Sequence, residues 1–319
     1  MSITLALAGD TMLGRGVADR IGDGQPLFAP DVSEIVSQAD LCIVNLECCI
    51  SDRGRPWPAP GKPFFFRAPP AAAEALAELG VDCVSLANNH ALDFGDPALM
   101  DTFEHLAGVG IAWVGAGPDE FRAREPTVLT AKEFRLGVLA VCDHPEDFAA
   151  GVDRPGVAFA DLRHEVPAWL SAAIRSLAAD ADAVLLTPHW GPNMAPTPVP
   201  HVLSSARVLL EAGATLVTGH SSHVFQGVRE SVLFDLGDFI DDYAVDPVLR
   251  NDLGLLWLIT IGAEGPIRLE AVPLFLDFCF TRLAEGEDAA WIRKRFGDAC
   301  AALGTEVTEV DGRLVIAWR

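Results

Sequence analysis

Short apolar, β-branched runs alternate with Ala/Leu-rich stretches of helical period along most of this chain, and that alternation restricts it to an α/β fold. The runs predict strands over Ile3–Ala8, Leu41–Asn45, Cys83–Ala87, Ile111–Val114, Leu136–Val141, Ala183–Thr187, Leu216–Thr218, Val232–Asp235 and Leu255–Ile261. The helical stretches are Asp31–Ala39, Ala71–Leu79, Asp96–Leu106, Val166–Ala178 and Leu203–Glu211. Pro69-Pro70 and Asp96-Pro97 mark helix starts, and Gly80, Gly108 and Gly213 come just after helix ends. Beyond about residue 275 the pattern changes to one amphipathic helix, Asp288–Ala302, and a strand-like Arg313–Trp318. We therefore expect a main domain over 1–275, with 276–319 an appendage on the same core. Gly54–Pro63 (GRPWPAPGKP) cannot pair in a sheet and is expected to be a loop, either a rim over the site or a connector.

The residues at the strand ends signal function. Asp10 ends the first strand, Asn45 and Glu47 the second, and Asn88-Asn89-His90 the third; His189 comes after Ala183–Thr187, and Gly219-His220-Ser221-Ser222-His223 after Leu216–Thr218. Polar groups just past the carboxyl ends of strands in an open α/β sheet converge on one crevice. A single histidine after a strand is more often structural, but five strand ends each delivering Asp, Glu, Asn or His reverse that weighting. Mixed carboxylate, amide and imidazole donors suit a divalent ion of intermediate hardness, Mn²⁺, Fe²⁺ or Zn²⁺, with Ca²⁺ favoured where oxygens dominate. No cysteine joins the set, which argues against a structural zinc site.

Composition bounds the partners. The formal net charge of −22 over 319 residues repels nucleic acid and anionic membranes, so neither is expected as a partner. Seven cysteines, none in a CxxC pair, lie mostly in strand-like runs and read as buried thiols of a reducing compartment. Met1–Asp10 lacks a basic start and the roughly 7–15 apolar residues of a signal peptide. No run approaches the ~18 apolar residues of a membrane span. The cytoplasm is the expected location.

Five ordered segments carry a resemblance: Gly9–Arg15 (GDTMLGR), Asn45–Ser51 (NLECCIS), Ser85–Gly95 (SLANNHALDFG), Pro188–Gly191 (PHWG) and Gly219–Gln226 (GHSSHVFQ). From residue 3 to about 240 the chain resembles the CapA family of poly-γ-glutamate capsule biosynthesis, within the calcineurin-like metallophosphoesterases. The resemblance implies a four-layer α-β-β-α sandwich with a metal site at one end. It makes Asp10, Glu47, Asn89, His189, His220 and His223 ligands or near-ligands, and His90 a proton-handling residue.

Departures from the pattern bear on the chemistry. Met12 stands where metallophosphoesterases carry the histidine of Asp-x-His, and two serines separate His220 from His223 where a phosphatase has His-x-His. Two-metal phosphoryl transfer needs both ions about 3.5–4 Å apart, so phosphoester hydrolysis is weakened. His189-Trp190-Gly191-Pro192-Asn193-Met194 replaces His-Trp-Gly-x-Glu-Tyr, and Asp235-Leu236-Gly237-Asp238-Phe239 replaces Ser-Leu-Gly-Asn-Phe, with Asp241 and Asp242 close behind. The site then holds more His and Asp than one ion uses. His90 with Asp93, and a second histidine from 189, 220 or 223 near Asp10 or Asp238, would form two His/Asp pairs able to move protons near neutral pH. The expected catalytic set is His90, Asp10, Asp93, His223 and Asp238, with Trp57 and Trp190 as substrate contacts. The first functional expectation is metal-dependent Cα epimerisation in a ribosomal, lasso-type precursor peptide, as in the CapA-like branch this chain resembles. The alternatives are a role in poly-γ-glutamate biosynthesis or a metal-dependent phosphoesterase.

Overall fold

The computed structural model describes residues 1–318 as an α/β arrangement built on two main sheets. The larger runs from edge to edge as Thr308–Val310, Arg313–Ala317, Gly265–Leu276, Leu253–Gly262, Ser2–Thr11, Leu41–Leu46, Cys83–Ser85 and Ala112–Val114. Its last four strands are parallel, so their carboxyl ends lie on one edge. The smaller runs as Val228–Arg229, Val232–Leu233, Leu216–Thr218, Ala183–His189, Phe134–Cys142 and Thr127–Ala131. Phe134–Cys142, Ala183–His189, Leu216–Thr218 and Val232–Leu233 are likewise parallel.

Side-chain alternation along the smaller sheet sorts its residues into two cores. Leu136, Val138, Ala140, Leu185 and Leu216 join the core that holds Leu5, Leu7, Val44 and Trp257 of the larger sheet. Leu139, Val141, Val184, Leu186 and Val217 face the other way, against Leu170, Ile174 and Leu209 of helices Ala168–Asp180 and Pro200–Glu211. This is the period-2 pattern of strands covered on both faces, which reads as a continuous apolar run in sequence. Leu185 and Leu216 are fully buried. Truncating either to alanine would cost about 2–5 kcal/mol.

Most expected elements are present, with shifted ends. The first strand continues past Ala8 to Thr11, because Asp10 and Thr11 pair with Asp238 and Ile240 on one side and Asn45 and Leu46 on the other. Asp10 therefore sits inside a strand, and His189 is the last residue of its own. The Val232 strand stops at Leu233, leaving Asp235 in the loop beyond. Helix Arg15–Gly22 and the twelve-residue strand Gly265–Leu276 are additions to the expected elements. Within that strand Leu269 and Ala271 are buried while Ile267 is exposed, so it lacks an unbroken apolar run. Arg313–Ala317 pairs with it, and Phe296 of helix Gly286–Ala302 meets Trp257 at 5.4 Å between ring centroids. Among the described residues no helix is long and apolar enough to cross a membrane.

Candidate functional site

Backbone crowding aims the first carboxylate. A Cβ on Gly9 would stand 1.7 Å from the Gly237 carbonyl oxygen, so only glycine lets the two backbone segments approach. The approach allows the Asp10 N–H to donate to Gly237 O at 2.9 Å, with a register shift in the strand at that point. The side chain is then fixed by an amide relay: Asn45 Nδ2 donates to Asp10 Oδ1 at 2.8 Å, and Asn88 Nδ2 donates to Asn45 Oδ1 at 3.1 Å. On the smaller sheet a bridge between His189 and His220 joins two strand ends and brings their rings to the same place.

Asp10, Glu47 and His189 are buried and offer ligand atoms within 4.8 Å of one another; so do Asp10, His223 and Asp238. His220 Nδ1 lies 3.2 Å from Asp10 Oδ1. Buried atoms without hydrogen-bond partners include Asp10 Oδ2, Glu47 Oε1, Asn89 Oδ1, Asp238 Oδ2, His220 Nδ1 and both nitrogens of His189. A buried polar atom left unpaired costs about 1–3 kcal/mol, and more when charged. Orphaned oxygens and imidazole nitrogens gathered around Asp10 are what a divalent cation satisfies, so Asp10, Glu47 and His189, or Asp10, His223 and Asp238, could hold one.

Two His/Asp pairs stand here, and one of them, His223–Asp238, belongs to the cluster itself. His90 Nδ1 meets Asp93 Oδ2 at 2.6 Å, and His223 Nδ1 meets Asp238 Oδ1 at 2.9 Å. A cavity of about 530 Å³ has both histidines in its lining, together with Arg15, Phe64, Phe66, Asn193 and Tyr243. Phe66 lies against the His90 ring at 4.1 Å between centroids, and Tyr243 crosses His223 edge-on at 5.3 Å. Lys62, from the Pro/Gly-rich loop, reaches Asp93 Oδ1 at 2.9 Å and donates to the Asn89 carbonyl at 3.0 Å. That loop is tied to the site through this lysine.

The electrostatics arise from crowding. Burial and the nearby Asp10 charge push Glu47 well above the usual carboxylate range. Burial, then Asp241 and Asp10, do the same to Asp238. Asp235 is raised to about 7 and Asp241 to about 6, burial leading in both. Asp10 is the exception: burial would raise it, but the close approach of His220 and the charges of His220, His189 and His223 hold it low. Burial drives His189 well below its ordinary value. A cation placed among these groups would replace the protons that the crowded acids otherwise retain.

Not every expected contact lies at the cavity. Trp190 is 2% exposed, packs in the core under the helices, and donates its Nε1–H to the Phe234 carbonyl at 3.0 Å. It is a core residue, because the turn after His189 points the next side chain to the opposite face. Trp57 is half-buried against Phe148, with its Nε1–H on Asp147 Oδ2 at 2.9 Å, outside the cavity lining. Asp235 braces the histidine loop, accepting from Ser222 N–H and Gly237 N–H, both at 2.9 Å. Lys62, Tyr243 and Arg15 enter the site without a motif that marks them in that role; Tyr243 donates its hydroxyl to Glu47 Oε2 at 3.3 Å. A neighbouring group is equally unmarked in the sequence: Asp143 holds His144 Nδ1 and stands 3.3 Å from His201 Nε2.

Residues 4–243, which carry every group in this cluster, match the family described as Bacterial capsule synthesis protein PGA_cap. The chain belongs to this capsule-synthesis family, that of CapA. A relative in Mycobacterium tuberculosis, named Probable polyglutamine synthesis accessory protein, is 32% identical across 92% of each chain. Capsule biosynthesis protein CapA of Bacillus anthracis is 26% identical over 85% of this chain and 67% of its own. PGA biosynthesis protein CapA of Bacillus subtilis is 25% identical over 75% of this chain and 63% of its own. Two of this CapA-family chain's departures, Asn193 and Asp238, fall at His223, whose Nε2 lies 3.3 Å from Asn193 Nδ2.

Proposed function

We propose that this chain is a divalent-metal-dependent enzyme that acts on a glutamate-bearing chain as an accessory to glutamate-polymer synthesis. The observation that carries the enzymatic part is that His90–Asp93 and His223–Asp238 both border one cavity beside the Asp10–Glu47–His189 cluster. The polymer part is supported by the resemblance to the poly-γ-glutamate capsule family and by relatives named for polyglutamine synthesis, capsule biosynthesis and PGA biosynthesis. We assign 1–275 as the catalytic unit, 276–319 as its appendage, and the two sheets with their outer helices to the four-layer calcineurin-like arrangement. A cytoplasmic site of action suits seven cysteines that are all buried and free.

Asp10, Glu47 and His189, with His220 and Asp238 close by, would hold the ion, and the unpartnered Asn89 Oδ1 is a further candidate donor. When bound, it supplies a positive charge that polarises a substrate carbonyl. The protein's own groups do the rest. Asp93 fixes the His90 ring and Asp238 the His223 ring, so each presents its Nε2 in a defined direction. Phe64, Phe66 and Tyr243 give the cavity an apolar wall that strengthens electrostatic contacts within it.

A specific reaction, Cα inversion, is favoured by the pairing of two imidazoles at one cavity. One histidine takes the Cα proton, and the other returns a proton to the opposite face, so no bond along the chain is broken. Inversion could fall on a glutamyl unit or on a residue of a ribosomal precursor peptide. Hydrolysis of the same chain is the competing outcome.

The test is incubation of the Mn²⁺-loaded protein with γ-linked and α-linked glutamyl oligomers, and with a precursor peptide, in D₂O. Deuterium at Cα with unchanged chain length shows inversion, and shortened chains show hydrolysis. Turnover of an aryl phosphate with neither change would replace the proposal by phosphoester hydrolysis, and inertness toward all of them would end it.

A further inference from the structure

We propose that Arg15 is the residue that reads a substrate carboxylate in the cavity between the two histidines. This rests on the reading that the substrate is a carboxylate-bearing chain, but not on which reaction it undergoes. In a chain of net charge −22, Arg15 is the permanent cation in the described lining of that cavity, which it shares with His90 and His223.

Its mounting is specific. Arg15 has a φ of 53°, in the left-handed region that non-glycine residues seldom adopt without contacts that favour it. Asp242, buried, supplies one such contact: its Oδ2 lies 3.2 Å from Arg15 Nε and accepts the Gly16 N–H at 3.0 Å. The guanidinium also lies 5.8 Å from the ring centroids of both Phe64 and Phe66. Asp242 meets Arg15 at Nε. Among the described residues neither terminal nitrogen of Arg15 makes a hydrogen bond, and the side chain keeps 39% of its exposure. A guanidinium held at Nε and laid on aromatic faces offers its two terminal N–H groups as a planar fork, the geometry that binds a carboxylate through two parallel hydrogen bonds.

A γ-linked glutamyl unit fits this wall. Its free carboxylate sits on Cα itself, so a fork on the cavity wall would hold that carbon in the space the two histidines border. Its two methylenes would lie along Phe64 and Phe66. Loss of one charge-assisted contact of this kind weakens binding about tenfold or more.

The experiment is equilibrium binding, which needs no turnover. A γ-glutamyl oligomer and its fully amidated counterpart are titrated into wild type, Arg15→Met, Arg15→Lys and Asp242→Asn, with thermal unfolding as the check on folding. The expected result is a preference of about tenfold or more for the acid in wild type, lost in Arg15→Met with amide binding unchanged. Arg15→Lys should keep part of the preference, since it keeps the charge without the fork. Asp242→Asn should retain it, whereas a purely structural role for the Arg15–Asp242 pair would make that variant resemble Arg15→Met and overturn the proposal. A preference that survives in Arg15→Met overturns it too. No preference in wild type would instead refute the glutamyl substrate on which it rests.

Discussion

His90 and His223 each lean on a buried aspartate and border the same cavity, yet their surroundings drive them in opposite directions. At His90 burial dominates and pulls the imidazole down; Asp93 opposes it, and the nearby Lys62 charge assists it. At His223 burial also acts to lower, but the carboxylates of Glu47, Asp10, Asp235 and Asp241 outweigh it and raise the ring. The same two-residue unit therefore yields a group disposed to accept a proton and a group disposed to donate one. A titratable pair acquires its role from the third and fourth charges around it.

The strongest test removes the carboxylate that the metal-ligand cluster shares with His223. Asp10→Ala, at a position within reach of both His220 and His223, should lose stoichiometric divalent ion by elemental mass spectrometry and with it all activity. Retention of the ion would mean that the cluster is built around another residue. Next in size are His90→Gln and His223→Gln, each expected to slow turnover by about 10²–10⁴-fold. If Cα inversion occurs, each variant should still wash deuterium into one configuration of substrate, and the two variants into opposite ones. Loss of the same exchange in both would erase the distinction between the pairs.

Smaller effects sharpen the contrast. Lys62→Met removes a charge that lowers His90, so His90 should protonate at higher pH and the acid limb of the kcat/KM profile should move up. Asp241→Asn removes a charge that raises His223, so the alkaline limb should move down. Parallel movement of the two limbs would show that the histidines are not separately controlled.

The mildest expectation concerns metal-free stability. Asp235 and Asp241 ionise at about 7 and about 6 in the fold against an ordinary 3.8. Between those values the folded state binds more protons than the unfolded one, so stability should fall as pH rises from about 4 to about 7. Thermal unfolding across that range should show the decline without divalent ion and less of it with ion present.

The strand positions and the ends that bear the chemistry were legible along the chain, because an apolar run leading into Asp10, Asn89-His90 or His220 places side chain and strand end within a few residues of each other. Gly265–Leu276 was not legible, since its exposed face breaks the apolar run. Trp190 shows a different limit: a residue beside His189 shares its position in sequence but points to the opposite side of the sheet.

What the sequence determined on its own was the α/β class, the family and the set of groups gathered at the strand ends, for these depend on local periodicity and short ordered motifs. What only the tertiary structure decided was which groups meet. Lys62 reaches Asp93 across 31 positions, Tyr243 reaches Glu47 across 196, and Arg15 meets Asp242 across 227. These contacts arise from loops folding over the sheet edge, and no local pattern encodes them. The charges so assembled set the difference between His90 and His223, because electrostatic shifts depend on separation in space and on burial, neither of which distance along the chain records.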